Sequence, residues 1–192
     1  MQQLTAGPDV GPRGRPWVKV VLVVLCLLTA AMWIYYFIFA SDKGVYQLDD
    51  VSWRVAAKPI CVAAYNERLQ LGDKTGGYIS NPTPDQMRQR ADIVDKATDI
   101  VERMLDAIVV IPVATDRDRA LLGVFDDNYR LVINDRRRYT ANLRAAKLVP
   151  YTETLVAGGP VSNVVLDFTA GVKGNDVPDC SPPGELGGDI RT

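Results

Sequence analysis

The chain has 192 residues, 47% of them hydrophobic, a formal net charge of −1 and no histidine. That length holds one membrane helix and one domain with a proper core. The near-neutral balance does not suggest nucleic acid, which calls for a strongly basic face, and the commonest general base and metal ligand is missing.

Residues 1–19 carry Pro8, Pro12, Pro16 and three glycines and read as a flexible tail, too polar and too interrupted to fold. Val20 to Ala40 follows, 21 residues without a charge. As a helix it measures roughly 31 Å, about the thickness of a bilayer's hydrocarbon core. Arg13, Arg15 and Lys19 precede it and only Lys43 follows closely, so the positive-inside rule predicts a cytoplasmic N-terminus and an extracytoplasmic domain. Trp33, Tyr35, Tyr36, Phe37 and Phe39 suit the outer headgroup level, and Trp17 the inner one. A cleaved signal peptide fits less well, because the apolar core exceeds a typical h-region and Ile38-Phe39-Ala40 imitates a cleavage site poorly. Cys26, Thr29 and Ala30 offer a small-residue face for a second membrane helix, from another protein or a second copy; the alternative is a lone helix in lipid.

Residues 41–47 read as a linker and 48–180 as the outer domain. Leu48 to Leu71 predicts a helix started by Asp49 or Asp50 and kinked or split at Pro59. After a loop of turn formers, Thr83, Pro84 and Gln86 compose a capping box. Met87, Ala91, Val94, Thr98, Val101, Leu105 and Ile108 then draw one apolar stripe, which Pro112 ends. A third helix opens after Thr115 or Asp116, with a stripe from Leu122 through Phe125, Tyr129, Val132, Arg136, Tyr139 and Leu143 to Ala146. A fourth opens near Gly159-Pro160 with Val161, Val165, Phe168 and Val172 on one face. Residues 181–192, rich in Pro and Gly, read as a mobile tail. The fold class is therefore all-α: a transmembrane helix, then a bundle of about four helices.

Cys26 falls in the apolar span, whereas Cys61 and Cys180 fall outside, where oxidation is permitted. A Cys61–Cys180 disulfide is the one intramolecular pairing open to them. Two free thiols or a metal site are the alternatives, and metal is disfavoured without histidine or a C-x-x-C.

Arg136 stands out because it falls on the buried stripe. A buried arginine needs a partner, and Asp99 or Asp95 on the preceding helix are the best placed, with Asp92 and Glu102 in reach. Gripping an anionic ligand is the alternative. The run Asp135-Arg136-Arg137-Arg138 does not form one patch, since consecutive helical residues point in different directions. Asp116 with Asp118, and Asp126 with Asp127, lack the spacing and loop glycine of a calcium site, and helix-dipole complementation accounts for the first pair. Neither Gly-Gly pair has a phosphate-loop context, and no G-x-S-x-G or S-x-x-K motif occurs. No cofactor is implied.

The segments A-A-K-P-I-C-V-A-A, N-D-R-R-R-Y-T-A-N-L and D-C-S-P-P-G resemble a loose group of uncharacterised actinobacterial single-pass membrane proteins, over most of residues 45–185. The resemblance implies a bacterial plasma membrane, an envelope location and the disulfide. It implies no active-site residues. The leading expectation is a non-catalytic, membrane-anchored accessory or scaffold protein packing on a larger membrane or envelope complex. The alternative is an extracytoplasmic module that binds or senses a small ligand or cell-wall fragment.

Overall fold

A computed structural model describes residues 16–39, 44–71 and 81–184 and divides the chain into two units, meeting between Asp42 and Lys43. The first contains one helix, α1 (Pro16–Phe39), 24 residues long. It is long and apolar enough to cross a membrane. Pro16 suits the first helical position, and the helix takes in Trp17 and Lys19, so it starts earlier than the apolar run. Near its C-terminal end Trp33 stacks on Phe37 and meets Tyr36 edge-on. The expected flexibility of the first fifteen residues concerns positions outside the described ones.

The second unit comprises α2 (Val51–Gln70), α3 (Pro84–Val109), α4 (Asp116–Arg144), α5 (Val161–Thr169) and a 3-10 turn at Pro178–Cys180. The protein is all-α apart from a minimal hairpin, β1 (Leu155–Val156) against β2 (Gly159–Pro160). Ala157 and Gly158 make its turn, both with positive φ, as a two-residue hairpin loop requires. Strands of two residues leave too short an alternation for a sequence pattern to reveal.

Local chemistry sets the helix starts. Asp50 caps α2, its carboxylate accepting from the Ser52 N–H at 2.9 Å. Thr83 and Gln86 exchange both bonds of the expected capping box on α3. Thr115 accepts from the Asp118 N–H and starts α4.

The expected split at Pro59 does not occur, and α2 runs through it as one helix. Pro59 removes the N–H that would bond the Val55 carbonyl, and both residues lie on an exposed side, so the missing bond leaves no polar group sealed in the domain core. The α4 and α5 stripes are corrected at their ends. Ala146 is exposed past the end of α4 at positive φ, and Val172 is fully exposed beyond α5. There the chain turns away at Gly171, where a Cβ would lie 2.5 Å from the Asp167 carbonyl.

The remaining stripes build the core. The larger cluster joins Trp53 and Ala57 of α2, Val101, Leu105 and Ile108 of α3, Phe125 and Tyr129 of α4, and Val165 and Phe168 of α5. Phe168 is its hinge, stacked on Phe125 at 4.2 Å between centroids and edge-on to Trp53. The two polar aromatic heads are satisfied. The Trp53 indole donates to the Ile108 carbonyl and the Tyr129 hydroxyl to the Cys180 carbonyl, each at 3.0 Å.

The lead-in belongs to the domain from Gly44, not from residue 48 as the linker expectation had it. Gly44 lies so close to Lys173 that a Cβ would be 1.9 Å from its carbonyl oxygen. Leu48 is buried, and its N–H donates to the Asn175 side chain at 2.9 Å. The first residues of the expected C-terminal tail are also tied in, through Ser181 bonded to Thr169 and the Pro183 carbonyl facing Arg136.

Candidate functional site

Two residues interrupt otherwise apolar stripes, Thr98 on α3 and Arg136 on α4. The structure brings them together. Arg136 is 2% exposed, and its Nε donates to Thr98 Oγ1 at 2.9 Å. This polar layer falls between the main core and a smaller cluster of Met87, Ala91, Val94, Tyr139 and Leu143.

The expected ion pair of Arg136 with Asp99 or Asp95 is therefore corrected. Asp99 bonds Arg137, while Asp95 accepts from Arg137 at 3.4 Å, from Thr140 at 2.8 Å and from Arg144. Asp92 pairs with Arg144 and Glu102 with Arg137. One step along α4 turns a side chain by 100°, which moves Arg136 off the acidic edge of α3 and puts Arg137 onto it. Burial works against the Arg137 charge, but its bonds to Asp99 and Glu102 outweigh that, and its pKa is raised.

The other two members of the run also diverge. Asp135 is buried and accepts from the Thr154 N–H at 2.5 Å, the Thr154 hydroxyl at 2.9 Å and Arg138 at 2.7 Å, holding the segment before β1. Nearby, Tyr151 has its pKa pushed up to about 12, by burial first and then by Glu153 and Asp135, against the opposing charges of Arg136 and Arg138.

Two further buried polar residues act as clamps. Asp118 accepts from the N–H groups of Asp49 and Asp50 at 3.0 and 3.1 Å. Asn175 accepts from Leu48 and donates to the Tyr46 and Phe168 carbonyls. Both fix the lead-in. Sequence reasoning read Asp118 as a dipole acid and assigned Asn175 no role, since partners 127 positions apart leave no local signal.

Cys61 and Cys180 are bonded to each other, with their Cα atoms 4.9 Å apart. On α1, Cys26 is a free thiol, and the Thr29 hydroxyl donates to the Leu25 carbonyl at 2.8 Å within its own helix. Cys26, Thr29 and Ala30 are all exposed on that helix.

Among the described residues, two open clefts on the domain are relevant. One, of about 490 Å³, follows the α3–α4 elbow along Val109–Val113 and is floored by Leu122 and Gly123, with Arg119 and Asp126 at its rim. Both rim charges are engaged, Arg119 with Asp116 and Asp126 with Arg130. The other, of about 300 Å³, is more polar and lies between Gln47, Arg54 and the loop from Ala170 to Pro178. Among the described residues no three His, Cys, Asp or Glu side chains are grouped to hold a metal ion. No family model, curated protein or solved structure matches this chain.

Proposed function

We propose that this protein is a non-catalytic accessory or scaffold component, anchored by α1 in a bacterial plasma membrane, whose helical domain packs on a larger membrane or envelope complex. One observation carries the reading. The buried polar side chains Thr98, Asp118, Asp135, Arg136 and Asn175 all bond to groups of the protein itself, so the interior chemistry holds the fold together. The elbow cleft is an open, mainly apolar groove of the kind a partner's side chains fill. That cleft also favours the second reading, a module for a small apolar ligand.

The test is purification in mild detergent with identification of co-eluting proteins, using wild type and Gly123→Glu. Nothing stands within 4 Å of a Cβ at Gly123, so the variant keeps its fold while blocking the groove. A stoichiometric companion that the variant loses is the expected result. A chain that elutes alone in both forms would remove the proposal.

The orientation is proposed from Arg13, Arg15 and Lys19 on one side of the span against Lys43 on the other. Protease added to intact spheroplasts is then expected to digest the domain beyond Ala40. Protection of that domain would reverse the orientation.

A further inference from the structure

The buried residues of α2, Trp53, Ala57, Cys61 and Ala64, occupy one side of the helix. Set about 125° round the helix from them, Val51, Val55, Lys58, Val62, Tyr65 and Leu69 follow in steps of 4, 3, 4, 3 and 4, and all six are exposed. At 100° per residue they fall within an arc of about 80°, a continuous outward stripe about 27 Å long. Asp49 and Asp50 lie at its N-terminal end, and along the helix itself the charges are mainly basic. Arg54, Lys58 and Arg68 are basic, and the single acid of the helix, Glu67, is bonded to Arg103 of α3 at 2.8 Å. The Arg68 guanidinium lies over the Tyr65 ring, 5.6 Å from its centroid.

Three considerations select the occupant of this face. Lys58 sits in the middle of the stripe, where a dry protein interface would strand its ammonium. At a lipid surface its stem lies along apolar atoms while its head meets phosphate. The basic excess complements anionic headgroups. The tether is also short. Four residues join Phe39, the last of α1, to Gly44, a reach of at most about 17 Å. The positions from Gly44 to Asp50 supply little further slack, because bonds to Asn175 and Asp118 hold Leu48, Asp49 and Asp50 on the domain.

We propose that α2 lies in the headgroup layer of an anionic bilayer, with Val51, Val55, Val62, Tyr65 and Leu69 toward the acyl chains and Lys58 and Arg54 on lipid phosphates. This rests on the reading of α1 as a membrane anchor. The amphipathic face, the basic flank and the short tether make α2 a second, peripheral attachment that holds the domain down on the membrane.

The test uses the full chain carrying Cys26→Ser, in nanodiscs of phosphatidylglycerol and phosphatidylethanolamine. A nitroxide label is placed singly at Val62→Cys, Leu69→Cys, Lys96→Cys or Val23→Cys, and power saturation is measured with oxygen and with a water-soluble nickel chelate. At Val62 and Leu69 nickel collisions are expected to drop several-fold relative to the exposed Lys96 site on α3, while oxygen collisions stay high. Adding Lys58→Glu is expected to raise nickel access at Val62. Nickel access at Val62 and Leu69 equal to that at Lys96 would put the face in water and overturn the proposal. Low access to both reagents would mean a protein covers it, a second copy or another chain, and would overturn it equally. No response to Lys58→Glu would remove the role given to Lys58. The label at Val23 reads the anchor separately, and nickel access there would bring down the membrane reading itself.

Discussion

At the scale of single residues, Thr98 and Arg136 decide how the α3–α4 pair is registered. Thr98 is fully buried, and its hydroxyl donates to the Val94 carbonyl while accepting from Arg136. Thr98→Val keeps the shape and removes the acceptor, and it is expected to cost about 1–3 kcal/mol in denaturant unfolding of the detergent-solubilised protein. A loss within error would show that this bond contributes nothing net. Tyr151 gives a pH prediction. Its folded pKa of about 12 lies above the ordinary value of 10, so folding favours the neutral phenol. The stability it contributes is fully present below pH 10 and is lost as pH rises through 12. The melting temperature is expected to fall across that window, and Tyr151→Phe, which cannot ionise, should flatten the fall. Identical alkaline profiles for the two proteins would contradict this.

At the scale of elements, α2 keeps a proline in its interior without breaking. Pro59→Ala restores the bond to the Val55 carbonyl on an exposed side and is expected to stabilise the domain by about 1–3 kcal/mol in thermal or denaturant unfolding. A destabilised variant would mean that the proline's backbone geometry is needed for packing. The elements also show what was legible beforehand. The α3 capping box and every residue of its stripe from Met87 to Ile108 follow from spacing alone, and all are found as expected. The α4 stripe was equally readable as far as Leu143. Less readable was which carboxylate faces which guanidinium, because periodicity settles the inward face and not the rotation of one helix against its neighbour. Arg136 was recognisable as buried, but its bond to Thr98 was not. The outward stripe of α2 was present in the spacing of Val51, Val55, Val62, Tyr65 and Leu69. It stayed hidden beneath the inward one because both faces of that helix carry apolar residues.

For the whole molecule, the Cys61–Cys180 bond closes a loop across a sequence separation of 119. The chain-entropy estimate for such a loop is ~5 kcal/mol, an upper figure comparable with the stability of a small domain. Cys61→Ser and Cys180→Ser are expected to be equally destabilised, with the double variant no worse than either. Unequal single variants would point to a packing role for one sulfur beyond the bond. The bridge cooperates with Asn175 and Asp118, which fasten the lead-in to the far end of the chain and to the start of α4. Deleting residues from Asn175 onward removes the bridge and the Asn175 clamp together. It is expected to unfold the domain at 37 °C, as read by loss of cooperative melting.

The bridge also determines how the protein carries a mechanical load. Tension applied between Gly44 and Gly184 has a covalent shortcut from Cys61 to Cys180, so the intervening loop is shielded from the pull. With the bond intact, the stretch from Gly44 to Gly184 can lengthen only over the segments outside that loop, to about 70 Å. After reduction the same pull can draw out the whole domain, to roughly 480 Å. Residues 44–61 and 180–184 lie outside the loop and can be extended, whereas α3, α4 and α5 lie within it and carry none of the pull along the chain. A domain wired this way is a short link between its own two ends, and oxidation decides whether it behaves as a strut or as a string.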